Sequence, residues 1–533
     1  MSDAASTDIV IIGAGHNGLV CAAYLAEAGL KVHMVERRHI VGGAAVTEEF
    51  HPGFKNSIAS YTVSLLNPKV IADLDLYNNG LELVERSMPN FWPLGNKPGE
   101  YLKFSYDMAE TQAEFARYSK HDAAALPGYY AAIERAAAVV RSLVLETPPN
   151  AGGGLRDIWR AISAGNKLRK LSLDDQQLLL DLFTKSAAEF LAPWFEHPAI
   201  LGAFAFDGIV GNFASPHSPG SAYVLLHHVF GDLNGKSGYW GHPIGGMGAI
   251  TQAMARVAQS RGVKITTEAP VKRVLVADGR ATGVELESGE KIYARAVAAN
   301  VDPKLLFTKL TDAADLAAPF RSRMENFACG SGVLRMNIAL SELPDFPCLP
   351  GKDAADHHRA GIIIGPNLDY LDRAYLDARN FGWSRAPVVE MLITSTMDPT
   401  LAPEGKHVAS LFCQQFSPEL NQGRSWDDVR EEVADHIIET VNQYAPNFKQ
   451  SVLGRQVLTP LDLERTFGLT GGDIFHGRLS LDQMFSARPA LGHADYRTPI
   501  KDLYICGSGT HPGGGVTGAP GHNAAREIIR DMR

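Results

Sequence analysis

The sequence has few cysteines, and none of them are paired in redox or zinc-binding spacing. The five cysteines are odd in number and form no C-x-x-C motif: Cys21, Cys329, Cys348, Cys413 and Cys506. A redox-active disulfide or a structural zinc site usually shows as closely spaced cysteines or histidines, so we expect neither. No metal site is predicted.

Basic residues are fewer than acidic residues, and long apolar runs are absent. The 533-residue chain has 50 Lys and Arg against 59 Asp and Glu, a formal net charge of −9. A nucleic-acid partner requires a basic surface, so this charge argues against one. No apolar run is long enough to span a bilayer, and residues 1–8 contain no signal peptide. We expect a soluble cytoplasmic protein, with peripheral membrane contact and homo-oligomer formation left open.

What the sequence does contain is a full dinucleotide-binding fingerprint near its start. Residues 9–12 predict a buried strand, a G-x-G-x-x-G turn follows, residues 19–28 predict a helix, and residues 32–35 predict a second strand. Gly13 allows the tight turn, Gly15 lets the backbone approach a pyrophosphate, and Gly18 lets the helix pack closely on the strands. Glu36 ends the second strand, where its carboxylate would accept ribose hydroxyls and repel the 2′-phosphate of NADP. The fingerprint alone leaves FAD and NAD open.

A second glycine pair just beyond Glu36 favours FAD. The stretch from Glu36 to Gly43 reads E-R-x-x-x-x-G-G and resembles the extended fingerprint of flavoproteins with the glutathione-reductase-like FAD fold. In that fold the glycine pair brings the backbone against the cofactor, and a basic residue, here Arg37, can offset its phosphate charge. Amine oxidase-type flavoproteins usually have Arg after the pair, whereas this chain has Ala44.

The middle of the chain carries weaker signals. Residues 47–61, with Asn56 and Tyr61, either lie along a flavin ring or form a surface connection. Helical patterns dominate residues 81–236, and the apolar stretch 190–213 could line a substrate cavity, touch a membrane surface or form buried core. Four short strands over residues 263–298 predict an antiparallel meander.

The C-terminus supplies a second strand, glycine loop and helix. Residues 503–507 read as a short apolar strand, residues 509–521 as a glycine-dense loop, and residues 522–532 as a helix. The backbone N–H groups of the loop and the start of the helix would face a bound anion or cofactor.

Together these blocks resemble the phytoene dehydrogenase-like flavoproteins, the group of carotenoid desaturases, carotenoid isomerases and retinol saturases. The resemblance is carried in family order along the whole chain by five blocks: residues 11–20, 36–43, 243–250, 299–303 and 504–515. It implies an α/β fold: a glutathione-reductase-like Rossmann FAD-binding domain built from discontinuous segments, plus a mixed α+β substrate domain. The implied FAD-binding segments are residues 1–80, 237–302 and 481–533, and the implied substrate segments are residues 81–236 and 303–480.

The resemblance also implies a set of FAD-binding residues. Near the pyrophosphate and ribose are Gly13, Ala14, Gly15, Asn17, Gly18, Glu36 and Arg37. Elsewhere along the cofactor are Gly42, Gly43, Ala44, Val271, Gly507, Gly515 and Val516, the last two at the flavin ring.

The implied function is an FAD-dependent oxidoreductase that moves hydride between a hydrophobic, unsaturated, isoprenoid- or polyene-like substrate and flavin N5. Desaturation, saturation and isomerisation all remain open. The alternatives are an amine oxidase-like flavoenzyme, and a non-catalytic flavin-binding interaction protein. The catalytic residues are unknown; His511, beside the C-terminal glycine loop, is the one candidate, although a purely structural role in that turn is favoured. His16 is also interpreted as structural.

Overall fold

The computed structural model describes residues 7–351 and 353–533, leaving out the side chains of residues 227 and 228. Its first layer is a five-stranded sheet in which every neighbouring pair of strands is parallel. Four of the strands are short, largely apolar runs buried on both faces, as in other doubly covered parallel sheets, whereas the edge strand Lys264–Thr266 is partly exposed. In sheet order they are Lys264–Thr266, Val32–Val35, Ile9–Ile12, Ala296–Ala299 and Leu503–Ile505.

These five strands come from the start, the middle and the end of the chain. Three helices cover one face of the sheet: His16–Glu27, Gly248–Ser260 and Ala519–Met532. A small antiparallel sheet covers the other face: Val271–Ala277, Arg280–Leu286 and Lys291–Tyr293. The prediction of a Rossmann-type α/β fold made from discontinuous segments is therefore confirmed.

The predicted four-strand meander over residues 263–298 is wrong in its first strand, and its last strand divides into two, of which only the first half joins the antiparallel sheet. Lys264–Thr266 and Ala296–Ala299 pair with the parallel sheet, and only the strands between them form the antiparallel sheet. Ala296–Ala299 is fully buried, and it lies next to Ile9–Ile12 because the chain crosses back into the nucleotide-binding sheet at this point.

A second, seven-stranded mixed sheet forms the other half of the molecule. Its strands, in sheet order, are Val452–Leu458, Val333–Leu340, His407–Phe416, Trp383–Leu392, Gly361–Ile364, Asn90–Pro93 and Tyr101–Lys103. The helix Trp426–Tyr444 packs on one face, where Met336, Met391 and Leu411 form a continuous core with it. The other face carries polar residues, and it forms part of the wall of the cavity described below. The domain boundaries inferred from the sequence stay a prediction.

Helices cluster beside this second sheet. They are Met108–Ala116, Lys120–Val144, Leu155–Arg169, Leu173–Thr184, Ala187–Leu191, Pro198–Asp207, the 3-10 helix Ser221–His228, and Leu368–Phe381. None of the described helices is long and apolar enough to cross a membrane. Leu155–Arg169 is unusual because it has no buried residue, although it exposes Leu155 (79%) and Trp159 (71%).

Short elements complete the chain. Three two-stranded ribbons are Thr47–His51 with Phe54–Ser57, Leu83–Glu85 with Gly241–Pro243, and Asp232–Leu233 with Lys236–Ser237. The remaining short α-helices are Pro68–Asp73, Pro303–Leu305, Ala318–Glu325, Asp356–Arg359, Phe448–Ser451 and Pro460–Phe467. The first ribbon shows that residues 47–57 form a hairpin, after which the chain turns inward.

Candidate active site

The glycine turn after the first strand leaves no space for side chains. Gly13 has a φ of +87°, which favours glycine. A Cβ on Gly15 would lie 2.8 Å from Asn300 Nδ2, and a Cβ on Gly18 would lie 2.6 Å from the Gly13 carbonyl oxygen. Gly43 lies against Gly15 from the other side, where its Cβ would come within 3.2 Å of the Gly15 Cα. The two predicted glycine motifs thus meet in one place.

Glu36 is bound to the same turn. Its buried carboxylate accepts a 2.8 Å hydrogen bond from the Ala14 backbone N–H and a 2.9 Å bond from the Arg38 backbone N–H. The acid therefore stabilises the loop that follows the first strand, as well as facing the cavity beside it. This second role was not evident from the fingerprint.

A cavity of about 280 Å³ runs along these residues. Eight of the sequence-predicted residues line it: Gly13, Gly15, Asn17, Glu36, Arg37, Gly43, Ala44 and Val271. Ala14, Gly18, Gly42 and Gly507 do not line it but support its walls; for example, the Gly42 N–H donates to the Ala14 carbonyl at 2.8 Å. We call this space the nucleotide cavity.

A second cavity, of about 170 Å³, adjoins the nucleotide cavity, and we call it the ring cavity. Four residues line both: His16, Ala44, His476 and Ser508. The predicted residues Gly515 and Val516 line the ring cavity, together with residues 59–65, which follow the first hairpin. Of the two interpretations of residues 47–61, a surface connection is therefore wrong for residues 59–61.

The two ends of the chain are joined at this junction. His16 Nε2–H donates to the Gly515 carbonyl at 3.1 Å, and Asn17 Nδ2 donates to Ser508 Oγ at 3.0 Å. Burial lowers the pKa of His16 to about 4, so its ring is neutral at physiological pH. His16 thus holds the C-terminal glycine loop against the N-terminal fingerprint, in agreement with its structural interpretation.

The cavity walls retain buried polar atoms that have no partner in the described structure. Asn17 Oδ1 and His476 Nδ1 are two of them, and both residues line the nucleotide cavity. Buried polar atoms are normally hydrogen-bonded, so unpaired ones at a cavity indicate a ligand or ordered water. Together with the side-chain-free surface at Gly15 and Gly43, they fit a dinucleotide, with its adenosine end at Glu36 and its ring end at Gly515.

The ring cavity is largely apolar, with charged groups at one end. Its apolar wall is made by Val63, Leu65, Phe206, Val210, Phe412, Ile474 and Phe475. At the polar end, the Tyr61 hydroxyl donates to Glu390 Oε2 at 2.6 Å, and Arg86 Nη2 donates to Thr62 Oγ1 at 2.6 Å. Asp207, at the end of its helix, also lines the cavity.

The two carboxyl groups at that end resist ionisation. Burial raises the pKa of Glu390, and nearby Arg86 only partly opposes this effect. Burial also raises the pKa of Asp207, and repulsion by Glu390 adds to it. Burial lowers the pKa of Arg335, which stacks on Tyr61, to about 10, so this guanidinium remains charged at neutral pH.

The catalytic candidate His511 does not line the ring cavity. Its Nε2–H donates to the Leu143 carbonyl at 3.0 Å, and its ring lies 5.6 Å from that of Phe485. Asn56 is likewise buried away from the cavity, bonded to Asn337 at 2.9 Å. The favoured interpretation of His511 as a structural residue therefore agrees with its contacts.

Several site residues could not be predicted from the sequence. Asn300 lies beneath the glycine turn; it falls in the block 299–303 that carries the family resemblance, but the sequence assigned it no role. Arg86 and Glu390 are isolated charges in otherwise ordinary segments.

Two other clusters lie outside the two cavities. Cys21 and Cys506 lie side by side with interacting, buried thiols, although they are far apart in the sequence. Asp122, near His121 and Glu196, uses its carboxylate to accept backbone N–H groups of residues 196 and 197.

The parallel sheet, the two glycine loops and the paired cavities define a Rossmann-type flavoprotein oxidoreductase. Residues 18–333 match the family described as flavin containing amine oxidoreductase. The chain is 42% identical over 544 residues to pyridine nucleotide-disulfide oxidoreductase domain-containing protein 2 of Rattus norvegicus, covering 99% of this chain and 94% of the relative. The chain belongs to the flavin containing amine oxidoreductase family.

Two more distant comparisons agree with this assignment. The chain is 26% identical over 533 residues to a phytoene desaturase (lycopene-forming) of Pseudescherichia vulneris, covering 98% of this chain and 99% of that one. A putrescine oxidase variant structure superposes with a TM-score of 0.60 at 17% identity, covering 99% and 98% of the two chains. The predicted resemblance is confirmed: this protein is an FAD-dependent oxidoreductase.

Replacing Glu36 with Ala should weaken FAD binding without abolishing it. The variant loses the acid at the adenosine end and leaves the N–H groups of Ala14 and Arg38 without their acceptor. Because hydrogen bonds to charged groups contribute about 1.5–3 kcal/mol, we expect the Kd for FAD to rise at least about tenfold. Fluorescence titration of the apoprotein with FAD measures this Kd. Glu287, an exposed acid that also lines the nucleotide cavity, is the matched control; equal losses in both variants would contradict the assigned role of Glu36.

Proposed function

We propose that this enzyme moves hydride between a mainly apolar, unsaturated substrate and FAD. The observation that carries the proposal is the ring cavity, whose wall beside Gly515 and Val516 is built largely from Phe, Val, Leu and Ile side chains. Such a wall binds a hydrocarbon chain by the hydrophobic effect and excludes water from the reacting carbon. The relationship to a phytoene desaturase supports the same substrate class.

The bound flavin would supply hydride transfer at N5, and the protein supplies position and environment. Glu36, Gly15 and Gly43 would hold the adenosine and pyrophosphate, while the loop at Gly515 would hold the ring end. The aromatic side chains Phe206 and Phe412 would orient the substrate. Tyr61 keeps its hydroxyl proton, because burial and the nearby Glu390 raise its pKa.

Anaerobic stopped-flow reduction of the flavin tests this proposal. Unsaturated hydrocarbons should bleach the oxidised flavin by losing hydride and a proton to form a further double bond, or polyenes should reoxidise a flavin that has been reduced beforehand by accepting hydride and a proton at a double bond. Polar diamines of similar length serve as the comparison. Flavin reduction by diamines alone would contradict the proposal.

Oxidation of an amine is the second candidate function. It is supported by Asp207 and Glu390, two carboxyl groups that line the ring cavity and could receive an ammonium group. Their raised pKa values count against it, because an ammonium ligand requires ionised partners. The stopped-flow comparison distinguishes the two candidates.

We further propose that the substrate is collected from an anionic bilayer surface through the helix Leu155–Arg169. Its exposed apolar residues recur at helical spacing: Leu155, Ile158, Trp159 and Ile162. The helix and the next residue add Arg156, Lys167, Arg169 and Lys170, in a chain whose net charge is −9. A cavity of about 750 Å³ opens beside Trp159 and extends inward to His511. A further cavity of about 350 Å³, lined by both His511 and Leu65, lies between it and the ring cavity, whose wall includes Leu65.

Replacing Trp159 with Glu should reduce co-flotation of the protein with phosphatidylcholine/phosphatidylglycerol vesicles at least about tenfold, since the change removes a large apolar contact and adds repulsion. Tyr293→Glu is the matched control, because Tyr293 is 57% exposed on the small antiparallel sheet. The membrane proposal would be contradicted if the Trp159 variant floated with vesicles as well as wild type, or if the Tyr293 variant lost as much vesicle binding as the Trp159 variant. A protein partner would then be the better explanation of the exposed helix.

A further inference from the structure

We propose that the polar end of the ring cavity is a carboxylate subsite, in which Arg86 binds the acid group of an otherwise apolar, unsaturated substrate. The inference rests on the proposed function, because it concerns the substrate of the same cavity. It narrows the substrate class from hydrocarbons in general to unsaturated carboxylic acids.

The first argument is the unused hydrogen-bonding capacity of Arg86. This side chain lines the ring cavity and is only 3% exposed. Its Nη2 donates to Thr62, but its Nε has no partner among the described residues. A guanidinium group has five N–H donors and no acceptor, so a buried one requires acceptors around it. The charge of Arg86 acts on Glu390 and lowers the pKa of that carboxyl, but it leaves the Nε–H unpaired.

The polar groups at this end of the ring cavity converge beside Gly361. A Cβ on Gly361 would lie 2.6 Å from Asn90 Oδ1, 3.1 Å from Glu390 Oε1 and 3.4 Å from Arg86 Nη1. Three polar groups from different elements therefore converge on a position without a side chain. Asn90, Glu390 and Arg86 all line the ring cavity, so the converging groups form its polar end.

The second argument is the balance of charge. Arg335 is buried behind Tyr61, with its guanidinium 4.3 Å from the centre of the Tyr61 ring, and in the described part of the chain its Nε and Nη1 also have no partner. Its Nη2 donates a hydrogen bond to Ser410 at 2.6 Å. Two guanidinium groups thus lie near Glu390, and the charge of each acts to lower the pKa of that carboxyl, against the effect of burial.

An anion is favoured over an ammonium group by this balance. Arg86 and Arg335 bring two positive charges to this end, whereas the raised pKa values of Glu390 and Asp207 disfavour the ionisation of both acids together. A substrate carboxylate would neutralise the excess, and buried charges in proteins are normally paired. A planar guanidinium also suits a carboxylate in a bidentate arrangement. An ammonium group would need both acids ionised beside one another.

The test uses ligands that the enzyme cannot oxidise at a double bond, so binding is measured apart from turnover. Octanoate, methyl octanoate and octylamine have the same chain and differ only in the polar end. Isothermal titration calorimetry with the FAD-loaded protein should rank octanoate tightest. Arg86→Gln should weaken octanoate at least about tenfold and leave the ester nearly unchanged, because only the acid uses the guanidinium charge.

Two further variants keep the test decisive. Glu390→Gln removes the competing negative charge and should tighten octanoate binding. Arg385→Gln is the control, since Arg385 lies on the same strand as Glu390 but its side chain is 75% exposed. Any of three results would overturn the subsite: octylamine binds most tightly, octanoate binds equally to wild type and Arg86→Gln, or none of the three ligands binds. Selective octanoate binding without flavin reduction by any unsaturated acid would support the subsite and contradict the proposed redox function.

Discussion

Replacing Gly15 with Val is expected to abolish FAD binding while leaving most of the fold in place. The new Cβ would lie 2.8 Å from Asn300 Nδ2, and its methyl groups would project into the space between Gly15 and the nucleotide cavity. The nearest obstacle is the end of a side chain that can move, so the strand and helix can persist. The cofactor cannot approach the backbone as closely, so the pyrophosphate contacts are lost.

The flavin absorbance of the purified protein measures this effect directly, and circular dichroism reports the fold. Gly165→Val is the matched control, because Gly165 lies in the exposed helix Leu155–Arg169 and a Cβ there would meet nothing within 4 Å. A Gly15 variant with full flavin content would disprove the assigned pyrophosphate site. Gly18 is a poorer test, because its Cβ would collide with a backbone oxygen 2.6 Å away and damage the fold itself.

The nucleotide-binding half of the fold could be predicted because its signals are local. Gly13, Gly15, Gly18 and Glu36 lie within one short strand-turn-helix-strand unit, and each residue type follows from a backbone requirement at its own position. The C-terminal glycine loop is equally local. Asn300, the partner of these loops, was assigned no role, because the resemblance of residues 299–303 does not show what an asparagine after a strand contacts.

The ring cavity could not be predicted in the same way. Tyr61, Arg86, Asp207 and Glu390 are separated by up to 329 residues along the chain, and they meet only because the second sheet and the helix Pro198–Asp207 enclose one space. A single buried arginine resembles a surface arginine in sequence. The misassigned strands at residues 264–266 and 296–299 have the same origin, since short strands do not reveal which sheet they join.

Replacing Glu527 with Gln should cause the largest loss of stability among the changes considered. The Glu527 side chain has no exposed surface and accepts bonds from Thr147 at 2.8 Å, Arg160 at 2.6 Å, Arg530 at 2.8 Å and Arg497 at 3.1 Å. A neutral amide would leave this cluster of arginines without its central anion. Because the three arginines are 17–41% exposed and Arg497 keeps Asp495 and Asp531, we expect the free energy of unfolding to fall by about 1.5–3 kcal/mol, the contribution of hydrogen bonds to a charged group.

The consequence should extend to the cofactor, because Glu527 lies on the helix Ala519–Met532 that follows the C-terminal glycine loop. Its contact with Arg160 also ties that helix to Leu155–Arg169. Chemical denaturation monitored by tryptophan fluorescence measures the stability, and the flavin content of the purified variant measures the effect on the cofactor. Glu325→Gln is the control, since the Glu325 side chain is 47% exposed and pairs only along its own helix with Arg321; a change within about 0.5 kcal/mol is expected there.

The pH dependence gives an independent check. Burial raises the pKa of Glu527, but the bond from Thr147 and the charges of Arg160, Arg497 and Arg530 outweigh it, so the folded-state pKa lies below the ordinary value of 4.5. A lowered pKa stabilises the folded protein above 4.5, and this contribution is lost as the pH falls through the folded-state value. The stability difference between wild type and Glu527→Gln should therefore be full at pH 7 and narrow below about pH 4.5. A difference that stayed constant into acid would show that the charge of Glu527 is not what stabilises this junction.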